Sequence, residues 1–292
     1  MQISAAMVKE LRERTGSGMM ECKKALTEVG GDMEAAIELM RKSGLAKADK
    51  KADRVAAEGL IRIAISDDAK TAAIVECNCE TDFVSGGDVF AEFTSNVAAR
   101  VLADSPADVA ALSEMAITDG GDSIDVTRKN MITKIGENIL VRRFQRIEAT
   151  GSVGSYMHGA RIGVVVDIEG GDDTLLKDIA MHIAATNPTC IDESQVPAEM
   201  LEKEKAILIA QAEESGKPAA IIEKMIGGRI NKYLAEITLV GQPFVKDPDK
   251  TVGQLLKEKG ATIHSFIRLG VGEGIEKKTE DFAAEVMAQI NS

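Results

Sequence analysis

Cysteine and histidine are scarce in this chain, with four of the first and three of the second in 292 residues. Cys22, Cys77, Cys79 and Cys190 follow no regular spacing, which excludes a disulfide framework and fits a reducing cytosol. No second cysteine pair complements Cys77 and Cys79, so a four-ligand structural zinc site is not supported and both belong to an apolar strand face. Long hydrophobic runs are missing too: none reaches the roughly 18 residues of a membrane span. The first residues, Met1-Gln-Ile-Ser-Ala-Ala, lack the basic-then-apolar order of an export signal. A cytoplasmic location without membrane contact is expected. Positive charge is also short, at 35 Lys and Arg against 47 Asp and Glu for a net charge of -12, which argues against general nucleic-acid binding. The glycine clusters Gly16-Ser-Gly18, Gly227-Gly-Arg229 and Gly270–Gly274 lack the lysine and hydroxyl of a phosphate cradle, so no direct nucleotide binding is expected. No serine or cysteine sits in a nucleophile-elbow context, and no carboxylate pair has a distinctive catalytic spacing. No catalytic residue, metal ligand or cofactor is expected.

What is present is modular. Residues 1–57 carry 11 Lys and Arg and 9 Asp and Glu, a net +2 on an otherwise acidic chain, which reads as a separate head. Ser4 caps a first helix with Met7, Val8 and Leu11 on one stripe. The run Thr15-Gly-Ser-Gly18 breaks it, and Ser17 is placed to cap a second helix carrying Met19, Cys22, Leu26 and Val29. Asp32 caps a third with Met33, Ala36, Ile37 and Met40 inward, and Gly44 is expected just past its end. An alanine-rich helical linker, Leu45 to Glu58, follows.

At Gly59 the period changes from near 3.6 to 2. Ile61, Ile63 and Ile65, then Ala73, Val75, Cys77 and Cys79, predict an antiparallel hairpin turning at Asp67-Asp68. Phe90, Phe93, Val97 and Val101 line a helix that covers it. Two short helical pieces are expected over 103–137, and a strand over Ile139–Ile147. A second unit echoes the first: strands around Tyr156–Ile168, the glycine pair Gly170-Gly171, then a helix with Leu175, Leu176, Ile179 and Ile183, an internal duplication. Residues 198–235 form two antiparallel helices around Gly216-Lys-Pro218, with the sheet resuming at Ile237 and at Ala261–Val271. A last amphipathic helix over Glu280–Ile290 carries Phe282, Val286 and Ile290. The expected fold class is α+β, with a three-helix N-terminal module and linker (1–57), one core subdomain (58–149), a related one in two parts (150–187 and 236–271), an inserted helical hairpin (188–235) and a C-terminal module (272–292).

The most informative stretch is Cys79-Glu80-Thr81-Asp82-Phe83-Val84, where a hairpin strand ends just before a glycine pair. Two readings stand: an Asp cap beside a core phenylalanine, or a wedge whose ring enters a partner's apolar seam while Asp82 meets basic or main-chain groups. For Met19 and Met20, either one fills the head's core while the other faces out, or the two form an adaptable contact tip. His158, at a strand turn before Gly159, is a contact candidate, whereas His182 reads as a structural residue on its helix.

Two long segments resemble signatures of the bacterial elongation factor Ts family: Leu11-Arg-Glu-Arg-Thr-Gly-Ser-Gly-Met-Met-Glu-Cys-Lys-Lys-Ala-Leu26 and Glu76-Cys-Asn-Cys-Glu-Thr-Asp-Phe-Val84. Gly154–Gly163, His182–Ala185 and Thr251–Leu256 extend the resemblance over essentially the whole chain. The family usually has Gly-Ala-Gly where Gly16-Ser-Gly18 stands, and a basic residue shortly after the position of Val84, where this chain has Ser85-Gly86-Gly87-Asp88. The resemblance implies a non-enzymatic guanine nucleotide exchange factor for the GTPase elongation factor Tu in translation elongation. It implies a ubiquitin-associated-like head gripping through Met19 and Met20, an intruding Asp82-Phe83 pair flanked by Thr81 and Val84, and a contact at His158. It further implies a C-terminal module that contacts the partner, and a hairpin serving homodimerisation. An acidic scaffold using head and terminal helix as two binding modules, and an enzyme with a pocket between the subdomains, are the competing classes.

Overall fold

The computed structural model describes residues 3–213 and 219–276. The expected turn Gly216-Lys-Pro218 and the terminal helix with Phe282, Val286 and Ile290 lie outside the described residues.

The head is three helices: α1 (Ala5–Thr15), α2 (Met19–Glu28) and α3 (Met33–Asp49). The Ser4 hydroxyl accepts from Met7 N–H at 3.2 Å, and Gly16 closes α1 in the left-handed region at φ +67°. Asp32 accepts from Ala35 N–H at 3.0 Å as expected. Val8, Leu11, Cys22, Leu26 and Ala36 form a small core of their own. Three expectations need correcting. The stretch Leu45–Glu58 is helical only as far as Asp49; turns and irregular backbone follow, and the first strand begins at Glu58. Ser17 does not cap α2: Gly18 is the N-cap residue, its carbonyl accepting from Cys22 N–H at 3.0 Å. Gly44 does not end α3, which runs on to Asp49. Its missing side chain has another use, since a Cβ there would meet Thr133 Oγ1 at 3.0 Å. The Thr133 hydroxyl donates to Gly44 O at 2.9 Å.

The first sheet contains β1 (Glu58–Ile65) and β2 (Thr71–Cys79). β2 leads into the one-turn α4 (Asp82–Ser85), then α5 (Asp88–Asp104), α6 (Val109–Glu114), α7 (Ile124–Ile135) and the third strand, β3 (Ile139–Glu148). The order is β1-β2-β3, all antiparallel. The second sheet begins with β4 (Ser152–His158) and β5 (Ile162–Glu169), followed by α8 (Asp173–Thr186), α9 (Ala198–Glu213) and α10 (Ala219–Ile237). The short pair β6 (Pro243–Phe244) and β7 (Asp247–Thr251), then α11 (Val252–Glu258), precede β8 (Thr262–Gly270), and the sheet order is β4-β5-β8. The sheet therefore does not resume at Ile237, which ends α10; the stretch after it is a short 3-10 turn, Leu239–Gly241.

The duplication is real at the level of topology. In each half the second strand is central, a helix follows it and covers one face, and the third strand returns to its free edge. Phe90, Phe93, Val97 and Val101 pack on the Ala73, Val75, Cys77 and Cys79 face of the first sheet. Leu175, Leu176, Ile179 and Ile183 pack on Val164, Val166 and Ile168 of the second. The opposite faces meet, with Ile61, Ala72, Ile74 and Ile147 against Val153, Val165 and Leu269. β2 is thus dry on both sides, and its alternation marks only one of two buried faces. Contact between the sheets is close at Gly163, where a Cβ would come within 2.6 Å of Ile61 Cγ2. α9 and α10 share a separate seam of Leu208, Ile230 and Leu234.

The head is less independent than its sequence suggests. α3 packs along α7, and Ala48 belongs to the first subdomain's core. Gly44→Leu is expected to lever α3 from α7, because the branched side chain would have to enter a filled contact. Overpacking of that kind costs about 1–3 kcal/mol. A lowered thermal midpoint together with faster amide exchange in α3 is the expected result; an unchanged midpoint would show the contact to be loose.

Candidate functional site

β2 emerges at Cys79, and the next residues are held before they can reach solvent. The Cys79 thiol donates to Thr81 O at 3.2 Å. Thr81 occupies the N-cap position of α4 in an extended conformation, φ -124° and ψ 158°, yet its hydroxyl does not cap that helix. It donates instead to Glu137 Oε1 at 2.6 Å, while Thr81 N–H donates to Oε2 of the same carboxylate at 2.9 Å. Glu80 accepts from Asn138 N–H at 2.6 Å. On the far side of α4, Gly86 N–H donates to Asp82 O at 2.8 Å and the Ser85 hydroxyl to the same carbonyl at 3.2 Å. Val84 leans on the first core.

The four-residue helix so braced presents Asp82 and Phe83 outward, and Phe83 is 90 % exposed. The core-phenylalanine reading is therefore wrong in this fold, and Asp82 is not the cap. Burying a phenylalanine contributes about 1.5–3 kcal/mol, so this protein by itself leaves that contribution unrealised. Of the four residues expected to form the wedge, Asp82 and Phe83 face solvent, whereas Thr81 and Val84 are half-buried and turned toward the chain's own body.

The other candidates lie elsewhere on the surface. Met19 and Met20 open α2 with exposures of 48 % and 75 %, so neither is a core filler and the contact-tip reading survives. A cleft of about 480 Å³ separates the head from the first subdomain, lined by Arg14, Met40, Val89, Thr133 and Lys134 among others. His158 ends β4, exposed, with its Nδ1 3.3 Å from the Tyr156 hydroxyl. His182 is fully buried, its Nε2 2.9 Å from Gln242 Oε1 and its Nδ1 3.3 Å from Val245 N. Burial lowers its pKa; it braces α8 against the β6 region.

Cys77 and Cys79 are buried in the first core, and burial pushes both thiols up to about 12. Thiols held protonated at neutral pH supply neither a nucleophile nor a thiolate ligand. No cluster of three or more metal-ligating side chains occurs among the described residues. No described helix is long and apolar enough to cross a membrane.

Two charged features have no role legible in the sequence, although Glu76 opens the second segment that resembles a family signature. Glu76 is entirely buried at a β-bulge where β2 meets β3. Its register partner is Arg143, Cys77 pairs with Val141, and Arg142 is the extra residue. The bulge lets two adjacent arginines, which would alternate across a regular strand, reach one carboxylate. Arg142 Nη1 lies 3.0 Å from Oε1 and Arg143 Nε 2.6 Å from Oε2, while Gly272 N–H donates to Oε1 at 2.8 Å. The second feature is the α7–β3 turn, Gly136-Glu137-Asn138. Only the polarity of Glu137 and Asn138 between two apolar segments hinted at it.

The profile of a family described as Elongation factor TS matches residues 80–273. The chain is 66 % identical over 291 residues to the elongation factor Ts of Thioalkalivibrio sulfidiphilus, covering 99 % of each chain. It is 63 % identical over 295 residues to that of Methylococcus capsulatus, covering all of both, and 59 % identical over 290 residues to that of Halorhodospira halophila, covering 99 % of each.

Proposed function

The chain belongs to the elongation factor Ts family, and from that premise we propose that it binds the GTPase elongation factor Tu and accelerates GDP release in translation elongation. The observation that carries this reading is Phe83, fully presented on a braced helical turn beside Asp82. A GTPase holds GDP through a phosphate cradle and Mg²⁺, so displacing either loosens the nucleotide. Phe83 enters an apolar seam of the partner, and Asp82 meets the polar groups around that seam.

The physics is linkage. The factor binds the nucleotide-free partner more tightly than the GDP-bound one, and GDP affinity falls by the same ratio. A 10³-fold loss of GDP affinity corresponds to about 4 kcal/mol of coupling, within reach of a few desolvated contacts. GTP then displaces the factor. The chain makes and breaks no bond, and it needs no cofactor of its own.

In the same proposal Met19 and Met20 of the head grip the partner's nucleotide domain, and His158 touches its C-terminal part. Phe282, Val286 and Ile290 add a further contact, and the α9–α10 hairpin pairs two copies of the factor. The protein works in the cytoplasm. The proposed division of labour follows 1–57, 58–149, 150–187 with 236–271, 188–235 and 272–292, with α3 also acting as the dock between head and body.

Release of fluorescent GDP from purified elongation factor Tu tests this directly. Catalytic amounts of the factor are expected to raise the release rate at least tenfold over the spontaneous rate, by the coupling argument above. Tight binding without acceleration would favour a scaffold and overturn the exchange reading.

A further inference from the structure

The α7–β3 turn holds two distant parts of the chain at once. Glu137 takes both donors of Thr81 at the base of α4. The next residue, Asn138, is almost fully buried; its N–H donates to Glu80, and its side-chain amide donates to Ala52 O at 3.2 Å and Arg54 O at 2.8 Å. The Lys51 ammonium donates to Gly136 O. The segment leaving the head and the segment carrying Phe83 therefore close on the same three residues.

A four-residue helix cannot hold its own orientation. One turn of helix fixes several backbone dihedrals for very few internal hydrogen bonds. With α4 this short, the direction of Phe83 is set by what grips its ends. Val84 and Ser85 secure the C-terminal side. On the N-terminal side the Thr81 hydroxyl, which could have capped α4, is committed to Glu137 instead. A carboxylate accepting two bonds from one residue fixes both distance and direction, and charge-assisted bonds are about twice as strong as neutral ones.

We propose that Glu137 is a positioning residue for nucleotide exchange: it clamps Thr81 so that Phe83 is aimed before the partner arrives, in register with the head through Asn138. This rests on the wedge reading of Phe83. Pre-aiming removes an ordering cost that would otherwise fall on the step in which the ring enters the partner. Losing it lowers the rate within the complex more than it weakens the complex, because the head and the second subdomain still bind.

The test measures fluorescent-GDP release from elongation factor Tu across a range of factor concentrations, alongside thermal melting of each variant. Glu137→Ala is expected to lower the maximal release rate about fivefold to tenfold, only part of what a charged hydrogen-bond pair can contribute, because the clamp acts through the aim of the ring. Its half-saturating concentration should stay within about twofold of the parent protein and its melting should be close to parental. Glu137→Gln keeps an oxygen for Thr81 N–H and an amide for the hydroxyl, and it should recover most of the rate. In a Phe83→Ala background, Glu137→Ala should add little, since the clamp acts through the ring. If Phe83→Ala slows release and Glu137→Ala does not, the clamp is refuted and the wedge stands. If Phe83→Ala itself has no effect, the wedge reading fails and the clamp with it. A lower melting midpoint with a raised half-saturating concentration and an unchanged maximal rate would mark a merely structural role. Should Glu137→Ala fail to fold, Thr81→Val, which removes only the hydroxyl donor, carries the same test: a lowered maximal rate supports the clamp and a parental one overturns it.

Discussion

Phe83→Ala is expected to slow GDP release from elongation factor Tu at least tenfold while the free protein melts at its parental temperature. Truncating a central aromatic anchor at an interface typically costs about 2 kcal/mol or more. The same change in a core would destabilise the fold by about 3–5 kcal/mol, but Phe83 is 90 % exposed and has no packing of its own to lose. The two effects are thus fully separated in this fold. Its helical turn is held by backbone and by Thr81, Val84 and Ser85, none of which depends on the ring. Melting curves beside a release assay decide the matter, and parental release by the alanine variant would sink the wedge.

Glu76→Ala should have the largest effect on stability, about 3 kcal/mol, near the low end for removing one partner from a buried ion pair. The low end applies because both arginines retain some solvent, at 21 % and 36 % side-chain exposure, and can partly rehydrate. The loss is localised. Arg142 also donates to Glu273 O and Arg143 to Gly270 O, so the cluster joins β2 and β3 to the segment after β8. Residues 270–276 should therefore lose amide protection first, which hydrogen exchange would register. Uniform loss over both sheets would contradict this assignment.

The pH dependence of that loss has a definite sign. Burial alone would raise the Glu76 pKa above 4.5, but the Gly272 N–H and the two guanidiniums outweigh it and hold the carboxyl lower. A depressed folded-state pKa contributes stability that is fully present above the unfolded value and is lost as pH falls through the folded one. The stability gap between the parent protein and Glu76→Ala should be constant from neutral pH down to about 5.5 and should narrow below about 4.5 as the parent loses its advantage. A gap that closed on raising the pH would mean that the carboxylate is not the stabilising form.

The sequence by itself determined most of the elements and their pairing. Period-2 runs located both central strands, because a sheet face that must be dry writes alternation into the chain. Ser4 and Asp32 marked helix starts, because the first N–H groups of a helix need acceptors that local side chains can supply. The repeated order of strand, glycine pair and helix gave away the duplication. Each of these rests on neighbours a few residues apart. Only the tertiary structure could decide whether Phe83 was core or surface: one phenylalanine between Asp82 and Val84 fits both, and the answer depends on which elements cover the end of β2. Gly44 misled for the same reason. A glycine late in an apolar stripe reads as a helix stop, yet here it admits Thr133 from a helix nearly ninety residues away. The double grip on Glu76 and the Glu137 clamp could not be read as contacts, since a bulge and two bonds donated by one residue to a carboxylate more than fifty residues away leave no period in the sequence. Local propensity fixes what each segment becomes, whereas the aim of an exposed side chain is set by long-range contacts that exist only once the chain has closed on itself.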